Sequence, residues 1–265
     1  RRRLRRAHVR LRPRRVLHRA RGRLYRRARP VDGAVARPPR ARGLIATVSH
    51  DLRTPLTALR LLVDAIDDDL VTDPAMRRDY LGRISVNVRA LSALIDDLFE
   101  LSRLESGDIQ WTTERVRLGE IVQETIHAMR PHADAGAVAV RAELAPRLDV
   151  AHANPEQIQR VLFNLIQNAI RHTPADGSVV VRVAPATGDE IEIEVADSGP
   201  GIAREKRERV FEPFFRGGER ADGSDGGAGL GLAISRAIIE AHGGRIWLAD
   251  CELGTCVRFR LPSAG

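Results

Sequence analysis

The sequence predicts an α+β chain: a helical hairpin that dimerises into a four-helix bundle, followed by an α/β sandwich. Three observations carry this expectation. Apolar residues recur at helical spacing along two successive stretches between residues 44 and 106. Short strand-like runs separated by helical runs fill the C-terminal part. Aromatic residues make up 4% of the chain, so the cores rest on Leu, Ile, Val and Ala.

The first helix is read from Ile45, Val48, Leu52, Leu56, Leu59, Val63, Ile66 and Leu70, whose steps of three and four make a near-heptad seam. In "VTDPAM", Asp73 and Pro74 read as the start of a second helix. Its apolar positions are Tyr80, Ile84, Val88, Leu91, Ile95, Leu98 and Leu101, and Gly107 is a plausible C-cap. Two antiparallel helices cannot fully bury one seam each between themselves. Four helices around a shared core can, which predicts a homodimer.

Beyond Gly107 a helix is expected from Leu118 to about Met129. Strands are expected at 138–144, 178–184, 191–196, 245–249 and 255–261, with helices at 155–172 and 229–242. This mixture predicts helices over one face of a mixed sheet. The segments are then 1–43, an arginine-rich stretch; 44–106, the hairpin; 107–114, a linker; and 115–262, the sandwich.

Charge is distributed unevenly. Residues 1–43 hold 18 arginines and one acid, Asp32, so this segment carries +17 and the rest of the chain −9 of the net +8. A solvated or juxtamembrane segment is the expectation there. Contact with an anionic membrane surface is an alternative, and nucleic acid is not an expected partner. No run of 18 apolar residues spans a membrane, and residues 1–43 lack the apolar core of a secretory signal. Cys251 and Cys256, on or beside strands, lack metal-ligand spacing and read as reduced thiols of a cytoplasmic protein.

Four short stretches carry chemistry. In "SHDLRTPLTAL" the seam turns inward at residues 45, 48, 52 and 56, which sets His50 on the outer face, beside Asp51. Pro55 cannot donate to the carbonyl of Asp51 and favours a bend just beyond it. Thr54 shares a face with His50. In 155–172, capped by Asn154 and opened by Pro155, the inner stripe is Ile158, Val161, Leu162, Leu165 and Ala169. Asn164, Asn168 and Arg171 line another face, where two carboxamides and a cation suit an anion and its metal. In "IEIEVADSGPGI" a strand delivers Asp197, an acceptor for an exocyclic amine, to a turn where Gly199 and Gly201 admit a flat ring. In "GGAGLGLAI", Gly226, Gly227, Gly229 and Gly231 lead into a helix, a recipe for binding phosphate. The chain's one lysine is Lys206, so this is not a P-loop. Taken singly, a solvated helix face, an ordinary turn and a loop are the competing readings.

Their order resembles that of the sensor histidine kinases of bacterial two-component systems. "SHDLRTPL" looks like the family's H box, "NLIQNAIRHT" its N box, "DSGPGI" its G1 box, "FEPFFRG" its F box and "GAGLGLAI" its G2 box. The resemblance covers about residues 44–262. It implies an ATP-binding sandwich, ATP and Mg²⁺ as cofactors, and a response regulator as partner. His50 is implied as the residue that takes the γ-phosphoryl group, with Asp51 orienting its ring and Thr54 serving a phosphatase activity. Asn168 is implied as a Mg²⁺ ligand and Asn164 as support for phosphates or ion. Arg171 and His172 are implied beside the nucleotide, with Asp197, Gly199 and Gly201 around adenine. Gly229, Leu230 and Gly231 are implied at the phosphate end, and Phe214 and Phe215 as lid anchors or core. This sequence departs from the family at His172, where tyrosine is common, and at Asn154, often aspartate.

Two other readings are weighed. A hydrolytic ATPase of the chaperone or mismatch-repair type shares the fold but carries a glutamate base where this chain has Asn164, and an amide cannot take a proton from water. A catalytically silent dimeric scaffold would leave His50, Asn168 and Asp197 without a purpose. No sensor module is legible in 1–43, which leaves two expectations: a cytoplasmic piece, or a chain whose input domain is missing, with tethering to the inner face of the membrane in a longer form as the alternative to a free cytoplasmic protein.

Overall fold

The computed structural model describes residues 40–106, 111–145, 150–216 and 229–264, and for 40–51, 54 and 105 the backbone alone. The 1–43 reading and the proposed cap at Gly107 therefore fall largely outside the described residues.

Helix α1 runs Arg40–Asp67 and α2 Pro74–Ser106. The carboxylate of Asp73 accepts from the N–H groups of Ala75 (3.3 Å) and Met76 (3.2 Å), with Pro74 opening the helix, as the sequence predicts. Pro55 sits inside α1, which continues for three more turns. The two helices pack on each other, yet Leu56, Val63, Val88 and Ile95 remain 39–51% exposed. These seam positions are thus left uncovered by the chain's own hairpin.

Strand β1 (Glu114–Arg117) pairs antiparallel with β3 (Val150–Ala153), closing a two-stranded ribbon over Val116, Ala151 and Ala153. Neither strand is anticipated from the sequence: each has four residues, too few to show alternation. The main sheet has the order β2-β4-β5-β7-β6, built from β2 (Ala139–Leu144), β4 (Ser178–Ala186), β5 (Glu190–Asp197), β6 (Arg245–Ala249) and β7 (Cys256–Pro262). β2 and β4 run parallel and the remaining neighbours antiparallel, so the sheet is mixed, as expected.

Helices α3 (Leu118–Ala135), α4 (Pro155–His172) and α5 (Gly231–Ala241) supply the cover. α3 outruns its expected end at Met129 and continues past Pro131, because Ala133 lies on the same buried side as Met129 and extends the burial by a turn. Alternate residues of the strands divide the two faces. Val179, Val181, Val183, Ile191, Ile193, Val195, Phe259 and Leu261 are buried in the shared core with Leu162, Ile166 and Ile238 of the helices. The opposite face carries ion pairs running from Glu143 to Arg182, Glu194, Arg258, Glu192 and Arg260 across four strands.

Candidate functional site

The site is assembled at one end of α4. The Asn154 side chain accepts from the N–H of Gln157 at 3.0 Å and fixes where the helix starts. Burial of Ile158, Val161, Leu162, Leu165 and Ala169 then fixes its rotation. That rotation leaves Asn164 and Asn168 half-buried and Arg171 and His172 exposed on the remaining surface.

Two segments come to this surface. Asn164 donates from Nδ2 to the carbonyl of Gly231, 3.3 Å away in the first turn of α5. A Cβ built on Gly231 would lie 3.5 Å from the Asn164 amide carbon, so the two helices meet closely here. At the other end, a Cβ on Gly199 would stand 2.6 Å from the carbonyl oxygen of His172. The turn after β5 therefore rests directly on the last turn of α4, and only glycine fits.

Asp197 ends β5 on this turn. Its Oδ1 accepts from the N–H of Gly199 at 2.9 Å and from that of Thr255 at 3.1 Å. Among the described residues, both of these bonds fall on Oδ1, which leaves Oδ2 to meet an outside donor. The peptide N–H of Asp197 also donates to the carbonyl of Thr255 at 2.9 Å. Gly201, at φ +74°, leaves 2.8 Å between its missing Cβ and the carbonyl oxygen of Gly254. Gly254 and Thr255 are positioning residues that the sequence reading passes over, Thr255 as the first residue of the expected 255–261 strand and Gly254 as the residue before it. A glycine directly before a strand is the signal that marks them.

Gly229, at φ +70°, accepts at its carbonyl from the N–H of Phe214 at 3.0 Å, and no Cβ would fit against the Phe214 backbone. Phe214 is buried in the core, so of its two expected roles the packing one is visible; Arg209 lies over the ring of half-buried Phe215. Leu230 is buried, and α5 opens at Gly231, two residues later than expected. Gly226 and Gly227 lie outside the described residues, as do the side chains of His50, Asp51 and Thr54, although all three belong to α1.

The sandwich is tied to the hairpin. Arg160 of α4 donates to Asp97 of α2 at 2.7 Å and pairs with Glu100. Burial pushes the Asp97 carboxyl above its ordinary value, against the opposing pull of Arg160. His242, buried after α5, ties the sandwich to the linker instead. Its Nε2 accepts from the N–H of Asn154 at 3.0 Å, and its ring stacks on Trp111 at 4.8 Å. Burial holds this imidazole below its ordinary range, and the Ile238 carbonyl partly offsets the effect.

The residues present fit a nucleotide with its metal. Glycines line close approaches at both ends, one oxygen of the Asp197 carboxylate takes neither of its two backbone bonds, and carboxamide oxygens are hard donors of the kind Mg²⁺ accepts. Among the described residues no three His, Cys, Asp or Glu side chains cluster as a metal cage. Among them, too, no helix is long and apolar enough to cross a membrane.

Comparison with known proteins is consistent with this geometry. Residues 153–265 match the family model described as histidine kinase-, DNA gyrase B- and HSP90-like ATPase, and residues 40–107 match the His kinase A (phospho-acceptor) domain. The adaptive-response sensory kinase SasA of Synechococcus sp. (strain JA-3-3Ab) is 30% identical over 222 residues, covering 83% of this chain and 58% of that protein. The chain thus spans somewhat over half the length of such relatives. Among solved structures, the catalytic domain of histidine kinase ThkA is 30% identical with a TM-score of 0.51, covering 57% of this chain and 96% of that one. Acinetobacter baumannii histidine kinase AdeS gives a TM-score of 0.66 at 26% identity, covering 82% and 98%. ThkA in complex with the response regulator protein TrrA also gives 0.66 at 26%, covering 84% and 61%.

Proposed function

The chain belongs to the sensor histidine kinases, and from that premise we propose that it binds Mg-ATP, phosphorylates its own His50 and passes the phosphoryl group to an aspartate of a response regulator. The observation that carries the reading is the meeting of three segments: the Asn164–Asn168 face, the Asp197 turn and the start of α5.

In this reading Oδ2 of Asp197 accepts from the adenine amino group, while Oδ1 is held by Gly199 and Thr255. Gly199 and Gly201 keep backbone clear of the ring. Asn168 offers its carboxamide oxygen to Mg²⁺, and Asn164, braced on Gly231, supports the phosphates or the ion. Arg171 and His172 flank the nucleotide from the exposed end of α4. Gly229, Leu230 and Gly231 shape the phosphate end, where the first N–H groups of α5 are unpaired within the helix. Bound Mg²⁺ would draw negative charge from the phosphate oxygens.

His50 reacts as a neutral imidazole, since a protonated ring has no free lone pair. Its nitrogen forms a bond to the γ-phosphorus as the bond to the ADP oxygen breaks. Asp51 accepts or orients the proton on the other ring nitrogen. Thr54 is assigned to positioning water for a phosphatase activity toward the regulator.

The domain limits follow as 44–106 for dimerisation and phosphotransfer, 107–114 for the linker and 115–262 for catalysis. The uncovered seam at Leu56, Val63, Val88 and Ile95 supports a homodimer. A cytoplasmic setting at the membrane's inner face suits the basic 1–43 segment. Titration with a fluorescent ATP analogue in Mg²⁺ tests the site. Asp197→Asn should weaken binding at least about tenfold, and Asn168→Ala should remove most of its Mg²⁺ dependence. Unchanged binding in both variants would reject the placement.

A further inference from the structure

The turn that holds Asp197 is bracketed by this chain's two cysteines. Cys251 lies two residues beyond β6, and Cys256 opens β7. Between them run Glu252, Leu253, Gly254 and Thr255. β6 and β7 are antiparallel neighbours, with Ala249 opposite Cys256, so the turn folds Cys251 back toward its partner. The Cys251 thiol donates to the carbonyl of Gly254 at 3.6 Å and is half-buried, whereas Cys256 is 5% exposed. Burial, followed by the Cys251 side chain as a hydrogen-bond partner, pushes the Cys256 thiol up to about 12.

We propose that Cys251 and Cys256 form a reversible disulfide whose closure weakens nucleotide binding by displacing the 251–255 turn from Asp197. The proposal rests on Asp197 being the adenine acceptor. The oxidant is a small-molecule disulfide such as oxidised glutathione. The more accessible Cys251, as thiolate, attacks one sulfur, forming a mixed disulfide and releasing one glutathione thiolate. Cys256, as thiolate, then attacks the Cys251 sulfur and releases the second. The two cysteines lose two electrons to glutathione disulfide, and their two protons end on the two glutathiones released. The raised thiol of Cys256 leaves little thiolate and makes the second step slow.

Closure matters because the turn has no slack. Bonding to Cys256 takes the hydrogen that Cys251 donates to Gly254 and draws the two sulfurs to about 2.05 Å. Gly254 sits at φ +70°, and a Cβ there would lie 1.8 Å from the carbonyl oxygen of Asp197. Movement of the turn inward therefore collides with Asp197. Movement outward withdraws the Thr255 N–H from Oδ1.

The test uses the full chain, reduced or equilibrated with oxidised glutathione, followed by mass spectrometry and titration with a fluorescent ATP analogue. The expected result is an intramolecular bond lacking two hydrogens and binding at least about tenfold weaker, restored by dithiothreitol. Cys251→Ser should bind like the reduced wild type and ignore the oxidant. A glutathione adduct without a bridge, a bridge between chains, or a bridge that leaves affinity unchanged overturns the proposal. Failure of the reduced protein to bind the analogue would instead overturn the nucleotide site itself.

Discussion

The backbone N–H of Thr255 donates to Oδ1 of Asp197 at 3.1 Å, so a turn 58 residues further along the chain aims this carboxylate. The turn is set by Gly254, at φ +70° and pressed against the Asp197 carbonyl. Gly254→Ala should therefore lower stability by about 2–4 kcal/mol, combining positive-φ strain with overpacking, and weaken ATP-analogue binding at least about tenfold. Gly188→Ala is the control: φ is +81°, with nothing within 4 Å of the new Cβ. It should cost about 1 kcal/mol and leave binding unchanged. Equal effects in chemical denaturation and titration would show that contact with Asp197 is irrelevant.

His242 gives the fold a pH dependence of known sign. Its imidazole is held below the ordinary range by burial, so the folded state prefers it neutral. The stability this contributes is fully present above the unfolded pKa of about 6.5 and is lost as pH falls through the lower folded value. The unfolding free energy from urea titration should drop across that window, by up to about 1.4 kcal/mol per pH unit. His242→Gln keeps an acceptor for the Asn154 N–H and should show a shallower drop. Parallel curves for the two proteins would remove His242 as the cause.

Arg160 neutralises two carboxylates of α2, Asp97 and Glu100, across the contact between hairpin and sandwich. Asp97 already titrates above its ordinary value because of burial. Removing Arg160 should raise it further. A raised carboxyl contributes stability below its unfolded pKa that disappears as pH rises through the folded one. Arg160→Ala should thus cost about 1–3 kcal/mol near neutral pH and progressively less toward about pH 4. Denaturation at both ends of that range checks it; a pH-independent cost would point to lost packing instead.

Much of this was legible in the sequence, for local reasons. Asn154 and Pro155 mark the start of α4, and the apolar stripe from Ile158 to Ala169 sets which side carries Asn164 and Asn168. Asp73 and Pro74 likewise place the start of α2. What was not legible depends on distant partners. β1 and β3 exist because they pair with each other, and four residues give no periodicity of their own. α3 passes Pro131 because tertiary burial of Ala133 outweighs a lost hydrogen bond. The supports of Asp197 at Gly254 and Thr255, and the pairing of Arg160 with Asp97 and Glu100, link positions far apart in the chain.

The central claim is that His50 takes the phosphoryl group from ATP. The direct measurement is incubation with γ-labelled ATP and Mg²⁺, beside His50→Gln, with the label tested for stability in acid and alkali. The account predicts label in the wild type alone, lost in acid and retained in alkali, as a phosphohistidine requires. Label that persists in His50→Gln, or no label on a wild-type chain that binds ATP, would contradict it.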